Sequence, residues 1–191
     1  MKSDVINVSS KADQIEKVLS QAERVAVYQQ LSPKAALRLR LLAEEMMSLV
    51  RAISGEVEGK FWIENKGSEY ELHLLANIKT YYEEREKLLS VASSGKNEAH
   101  RGFLGKIRAF FEPIGEVPEF FDLSADELGA VSVWSMRAYE TTLRQYVQEE
   151  RSGAAEAWDE LEKSVLAHLA DEVKVGIRED TVEMTVLKNL V

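Results

Sequence analysis

The sequence predicts an α+β fold, a two-layer sandwich in which a mostly antiparallel sheet is covered by helices on one face. Three observations lead to this prediction. Two β-hairpins with alternating apolar residues lie in the middle and at the end of the chain, two amphipathic helices precede the first hairpin, and strands and helices do not alternate as β-α-β units. Elements in this order favour an antiparallel sheet with helices on one side.

Length and composition indicate a single domain spanning residues 1–191 with a real core, since 45% of its residues are apolar. The net charge of −9 argues against nucleic acid or an anionic membrane as a partner, because both are polyanions. The absence of cysteine excludes disulfides and thiolate chemistry. No apolar run approaches the roughly 20 residues of a membrane span, and the polar start MKSDVINVSS is unlike a signal peptide. A cytoplasmic protein is therefore expected.

The chain begins with a predicted short strand and a helix. In DVINV, Ile6 and Val8 alternate with a polar residue, which is typical of a strand. The first helix is expected to follow Ser9 or Ser10, because apolar residues recur at helical spacing over residues 15–26.

The second helix has a clear start and a clear end. In LSPKAAL, Ser32 is the predicted N-cap and Pro33 lies in the first turn. The helix is expected to stop before Gly55.

Both hairpins are predicted from alternation and turn chemistry. KFWIEN and EYELHLLANI flank the turn signal KGS, and His73 is expected on the polar face of its strand. EVKVGI and TVEMTVL flank a turn at RED. The closing hairpin is predicted to pair Val173, Val175 and Ile177 against Val182, Met184 and Val186.

Residues 81–152, between the hairpins, are predicted to form a large helical insertion. SADE is a capping box that opens a long helix from about Ala125. Its apolar side is expected to comprise Leu128, Val131, Trp134, Tyr139, Leu143 and Tyr146. Gly153 interrupts the pattern, and a last helix follows with Trp158, Leu161, Val165 and Leu169. All three tryptophans (Trp62, Trp134 and Trp158) are assigned to the core, and no internal repeat is visible.

The second helix contains LLAEEMMSLV, in which two glutamates interrupt an apolar run. Glu44 and Ser48 stack as an i, i+4 pair on the side opposite the apolar arc. On helix periodicity alone, this side is the solvated face of an amphipathic helix.

The order of elements, with its acidic second helix, resembles the Bergerat (GHKL) ATP-binding fold, and is closest to anti-sigma-factor serine kinases and histidine-kinase ATPase domains. Their second helix carries an N-box, a glutamate followed four residues later by an asparagine. Glu44 stands at the glutamate position and Ser48 at the asparagine position. The resemblance implies Glu44 as the catalytic base or water-positioner of an active enzyme, Ser48 as a nucleotide contact, and ATP with Mg²⁺ as cofactors. Residues 1–80 and 153–191 would form the Bergerat-like shell, with 81–152 in the lid position.

Two further family motifs are altered or ambiguous here. LLANIKTYY lacks the family's adenine-binding aspartate, so Asn77 could offer only a side-chain carbonyl. RGFLGKI is similar to the glycine-rich helix start that faces the phosphates, which implies Gly102, Gly105 and Lys96 as nucleotide contacts. Two alternatives stay open: a tight turn that only packs a helix, and a post-lid helix placed instead at residues 153–170.

A metal site built from histidine is not expected, because His73, His100 and His168 share no ligand spacing. The sequence therefore predicts a degenerate ATPase-like domain that acts as a regulatory or protein-interaction module, with weak or absent ATP binding. The alternative is an active Mg-ATP-binding serine kinase of the anti-sigma type. The implied partner is a protein, such as a transcription regulator or a second copy of this chain.

Overall fold

The computed structural model describes residues 1–9, 12–54, 58–77, 132–178 and 181–190. Six strands and five helices lie within these residues. In chain order they are β1 (Ile6–Ser9), α1 (Ala12–Tyr28), α2 (Pro33–Ser54), β2 (Glu58–Lys66), β3 (Glu69–Asn77), β4 (Ser132–Ser135), α3 (Met136–Gln148), α4 (Ala154–Lys163), α5 (Val165–Leu169), β5 (Glu172–Arg178) and β6 (Thr181–Asn189).

The strands form one six-stranded sheet in the order β1-β2-β3-β6-β5-β4, and every neighbouring pair is antiparallel. The predicted α+β class and both predicted hairpins are confirmed. The closing hairpin has the predicted pairs, with Val173 opposite Val186, Val175 opposite Met184 and Ile177 opposite Val182.

The core lies between one face of this sheet and the helices. Alternate strand residues point into it, including Phe61, Ile63, Leu72 and Val186, all fully buried. The helices supply the other wall, with the fully buried α2 residues Leu39, Leu42 and Met46. The alternation of each strand therefore leaves a second face, directed away from the described helices.

Serine hydroxyls cap the starts of α2 and α3. The Ala35 amide donates to the Ser32 hydroxyl oxygen at 3.3 Å, so Ser32 caps α2 as predicted. The Ala138 amide donates to the Ser135 hydroxyl oxygen at the same distance, which caps α3.

The long helix predicted from about Ala125 is wrong for residues 132–135, which form strand β4. Trp134 lies opposite Val175 and is buried in the core, but as a strand residue. In SVWS, a β-branched residue and an aromatic residue suit a strand, and Ser135 ends it by capping α3. Residues 125–131 lie outside the described residues.

The other described parts of the middle region also join the sheet and its helical layer. Residues 132–152, expected in a helical insertion, supply β4 and α3, while 81–131 lie outside the described residues. Gly153 does interrupt the helices, with a φ of 79°. The last predicted helix is two helices, because Ser164 adopts extended backbone between α4 and α5.

The structure contains an internal repeat of topology that the sequence does not show. A strand, two helical segments and a hairpin occur as β1-α1-α2-β2-β3 and again as β4-α3-α4-α5-β5-β6, where α4 and α5 together replace α2. Leu72 lies opposite Ile63, and Met184 lies opposite Val175, so equivalent hairpin residues are 112 positions apart. We call these the first and second halves.

The ends of α1 and α3 strengthen this equivalence. Gln30 and Glu150 follow these helices at the same place, and each has a φ of 53°. The amide after each of them donates to a carbonyl five residues earlier at 3.0 Å, which is a common helix-ending arrangement. The same local geometry thus closes the first helix of both halves.

None of the helices in the described part of the chain is long and apolar enough to cross a bilayer.

Candidate functional site

The sheet face directed away from the described helices carries a polar and aromatic cluster. Gly67, with a φ of 74°, permits the tight turn between β2 and β3. This turn places Trp62 directly opposite His73 and Glu64 directly opposite Glu71. We call this surface the open face, and the cluster consists of Lys2, Trp62, Glu64, Lys66, Glu71, His73, Glu183 and Thr185.

Two stacked rings form the centre of the cluster. The rings of Trp62 and His73 are nearly parallel, at 5°, with their centroids 4.8 Å apart. On Trp62, the Lys2 ammonium lies 4.8 Å from the ring centroid, which is within cation–π range. Trp62 was predicted in the core, but it lies on the open face because its strand neighbours Phe61 and Ile63 take the inward positions.

The carboxylates around the rings are paired with lysines. Glu64 Oε1 lies 3.0 Å from Lys2 Nζ, and the Trp62 indole N–H donates to the same oxygen at 3.0 Å. The hydrogen bonds from Lys2 and Trp62 lower the pKa of the Glu64 carboxyl. Lys66 donates to both oxygens of Glu71, at 2.8 and 3.0 Å, and this bond raises the pKa of the Lys66 ammonium.

His73 connects this cluster to the second half of the sheet. It lies on β3 directly opposite Thr185 of β6, with its Nδ1 3.3 Å from the Thr185 hydroxyl and 3.7 Å from Glu183. Its Nε2 lies 3.3 Å from Glu71. His73 is on the polar face, as predicted, but its side chain is only 12% exposed because neighbouring side chains cover it.

His73, Glu64 and Glu71 also offer three possible metal ligands, with atoms within 4.8 Å of one another. Ligands that share a zinc ion bond to it at about 2.0–2.2 Å, so they lie closer together than this. Each carboxylate already has a lysine partner. A metal ion would have to displace both lysines, so the arrangement is better described as an ion-pair network.

A cleft of about 770 Å³ lies at the end of the sheet where β1 and β3 end and β2 begins. Its volume is in the range of small-molecule sites. The described residues that line it are Asn7, Val8, Ser9, Gln14, Lys17, Glu58, Gly59, Lys60, Leu75, Ala76, Asn77 and Thr181. Two of these are lysines and one is a carboxylate, which makes its described wall cationic in an acidic chain.

The equivalent place in the second half is occupied by an ion pair. Gly59 and Ala76 in the cleft correspond to Asp171 and Lys188, which are 112 positions later and 2.6 Å apart. Gly59 is also constrained by its neighbours, since a Cβ there would meet the Leu75 carbonyl oxygen at 2.5 Å. In the first half, the small residues Gly59 and Ala76 leave room for the cleft. In the second half, the charged side chains of Asp171 and Lys188 fill the equivalent space.

The predicted site residues separate into three groups. Asn77 lines the cleft. Glu44 and Ser48 lie on α2 and are not among the described residues that line it; Glu44 is 45% exposed, 3.9 Å from Arg40, and Ser48 is exposed. The predicted contacts Lys96, Gly102 and Gly105 lie outside the described residues.

Neither a protein-family model nor the sequence of a curated protein matches this chain.

The open-face cluster was not predicted as a functional site, although a signal for it was present. A two-residue turn at Gly67 and Ser68 fixes which residues of the hairpin face each other. Applied to KFWIENKGSEYELH, this rule places a tryptophan beside a histidine and two glutamates side by side. Counting outward from the turn would have found the hairpin residues of the cluster, whereas linear ligand spacing could not.

Proposed function

We propose that this chain is a regulatory binding module without robust catalytic activity, which binds a small anionic ligand in the cleft at the end of the sheet. The observation that carries the proposal is the composition of the cleft. Lys17 and Lys60 supply positive charge, and Val8, Leu75 and Ala76 supply apolar surface. Pockets with an apolar lining and a few convergent polar groups are typical of ligand sites.

The described wall of the cleft is better suited to binding than to chemistry. It contains no histidine, and Glu58 is its only carboxylate. General acid–base catalysis needs a titratable group placed against the reacting proton, most often a histidine or a carboxylate.

A nucleoside triphosphate is the first ligand to test. The Bergerat resemblance implies ATP with Mg²⁺, and Asn77, the residue expected near the adenine, lines the cleft. A carboxamide in place of the family's aspartate supports weak binding. The regulatory role that the resemblance implies would be exerted on a protein partner.

The alternative, an active serine kinase with Glu44 as its base, has less support. Glu44 pairs with Arg40 on its own helix and is not among the described residues of the cleft. A catalytic base has to reach the reacting proton directly or through one water molecule.

Titration calorimetry with Mg-ATP, Mg-ADP and inorganic phosphate tests the proposal. We expect Mg-ATP to bind more weakly than micromolar. Lys60→Gln should weaken this binding about fivefold, since one exposed charge contact is worth on the order of 1 kcal/mol. Lys174→Gln makes the same change of charge at an exposed strand residue of the second half, and is the matched control.

Three results would contradict the proposal. Micromolar or tighter binding of Mg-ATP would argue against a degenerate site. Equal binding by Lys60→Gln and Lys174→Gln would place the ligand elsewhere. Loss of binding or of phosphoryl transfer in Glu44→Gln, with binding intact in Lys60→Gln, would favour the kinase.

A further inference from the structure

The first three residues of the chain lie along the outer edge of β2 as a short extended stretch. The Asn65 amide donates to the Met1 carbonyl at 2.7 Å, and the Ser3 amide donates to the Ile63 carbonyl at 2.8 Å. Lys2 lies opposite Glu64 in an antiparallel bridge. This edge of β2 therefore accepts an added strand through its backbone.

This stretch is separate from β1. Lys2 lies opposite Glu64, whereas Ile6 lies opposite Phe61, so the N-terminal strand has one residue more than β2 over the same span. An extra residue of this kind is a β-bulge, which breaks the register of an edge strand. Val5, inside the bulge, is 50% exposed. Residues 1–3 thus pair with β2 on the other side of the bulge from β1.

The Lys2 side chain enters a position built by the hairpin. Its ammonium lies over the Trp62 ring and 3.0 Å from Glu64. The Trp62 indole holds Glu64 in place by a hydrogen bond, and the His73 ring stacks on the indole. An aromatic ring beside a carboxylate is a favourable site for an ammonium group. We call this the ammonium site.

We propose that the edge of β2 from Trp62 to Asn65 is a docking site for an extended, lysine-bearing segment of a partner protein, and that residues 1–3 occupy it in the free chain. The segment binds by strand addition, with its backbone on Ile63 and Asn65 and its lysine in the ammonium site. The ring and the carboxylate that receive the lysine belong to β2 and so remain after residues 1–3 leave. The charge of −9 also favours a basic partner.

The intramolecular segment competes with the partner. A tethered ligand has a high effective concentration, in the millimolar range for short flexible linkers. A partner that offers only the same contacts therefore binds weakly. It binds more tightly when the pairing of residues 1–3 with β2 is weakened, or when the partner makes additional contacts. Lys2 is 54% exposed, so its removal does not disturb the core.

The test uses the full chain, the variant Lys2→Ala and an acetylated peptide with the sequence of residues 1–5. Binding is followed in ¹H–¹⁵N NMR spectra by the backbone amide signals of Ile63 and Asn65, which contact residues 1–3 and are present in every variant. We expect the peptide to bind Lys2→Ala about tenfold more tightly than the unchanged chain, because the competing ammonium is absent. A peptide with glutamate in place of its lysine should not bind.

Two variants locate the binding. Adding Trp62→Leu or Glu64→Gln to Lys2→Ala should remove the peptide effect, and a thermal melt checks that each variant is folded. Lys66→Ala is the matched control, because it removes a lysine that pairs with Glu71 and leaves the ammonium site intact. It should bind the peptide no better than the unchanged chain.

Equal peptide binding by Lys2→Ala and the unchanged chain would overturn the proposal. So would binding that both Trp62→Leu and Glu64→Gln leave intact. A Lys2→Ala chain that forms dimers without peptide, seen by light scattering, would assign the site to a second copy of this chain instead of a partner.

Discussion

The two halves of the sheet have the same inward face and different outward faces. Inward, Ile63 and Leu72 of the first half correspond to Val175 and Met184 of the second, and all four are buried. Outward, the aromatic and charged groups of the cluster are concentrated on the first hairpin. One backbone plan therefore supports two surfaces, because alternate residues of a strand are free to differ when only one face is buried.

The outward residues show how far the halves differ. Trp62 corresponds to Lys174, and His73 corresponds to Thr185. Different residue types therefore stand at equivalent outward positions of the two hairpins. The second half has no ring pair at these positions. A hairpin of the same register thus forms in the second half without such a cluster, so the cluster is not needed to form the hairpin.

The largest loss of stability is expected from substitutions on the inward faces, and comparing the two halves tests whether these faces are equivalent. Leu72→Ala and Met184→Ala should each destabilise the protein by about 3 kcal/mol, since each removes a fully buried side chain and leaves a cavity. Urea denaturation, followed by circular dichroism, measures both.

Similar losses and similar denaturant slopes would support one shared core. If one variant loses most of its structure while the other loses less than about 1 kcal/mol, the halves do not contribute equally to a single cooperative unit.

A smaller effect is expected when the outward face of the first half is made like that of the second. Trp62→Lys with His73→Thr introduces the residues found 112 positions later. The double variant should stay folded and lose about 1–2 kcal/mol, because it loses the stacked pair but no core residue.

Thermal melts and near-ultraviolet circular dichroism measure this loss, with Lys174→Ala as an outward control in the second half. Unfolding of the double variant at room temperature would show that the cluster stabilises the sheet and has not been added for binding alone.

The smallest loss of stability is expected for the ion pair between Asp171 and Lys188, which occupies the place in the second half that is equivalent to the cleft. Burial tends to raise the pKa of the Asp171 carboxyl, but the Asn189 amide and the Lys188 ammonium outweigh it, so the pKa is lowered from its ordinary value of 3.8. A carboxyl whose pKa is lowered by folding stabilises the folded state at pH values above its ordinary, unfolded pKa. This contribution is lost as the pH falls through the folded pKa.

Asp171→Asn should therefore cost about 0.5 kcal/mol at pH 7, a value reduced because the carboxylate is partly exposed. The difference from the unchanged chain should be constant at neutral pH and shrink below about pH 4. Denaturation at several pH values checks this, and a difference that grows on acidification would contradict the assigned ion pair.

The sequence alone determined the local structure wherever one signal was unopposed. Both hairpins followed from alternation and turn residues, and α2 followed from Ser32 and Pro33. These signals act over a few residues, and the tertiary structure agrees with them. Asn77 lines the cleft, and its contact with a ligand, implied by the resemblance, stays a prediction.

Only the tertiary structure decided β4 and the repeat. In SVWS, Trp134 fits the spacing of a helix and of a strand equally well, and pairing with β5 selects the strand. The halves are equivalent in register and helix ends, but the sequence lacks a visible repeat, because a core accepts many apolar side chains of similar size.

The open-face cluster lies between these two cases. The turn at Gly67 determined which hairpin residues face each other, so Trp62 beside His73 was contained in the sequence. The approach of Lys2 and Thr185 was not, because they lie far from the hairpin in the chain and reach it only through β-pairing. Local turn geometry fixes contacts within a hairpin, whereas contacts between distant strands depend on how the whole sheet assembles.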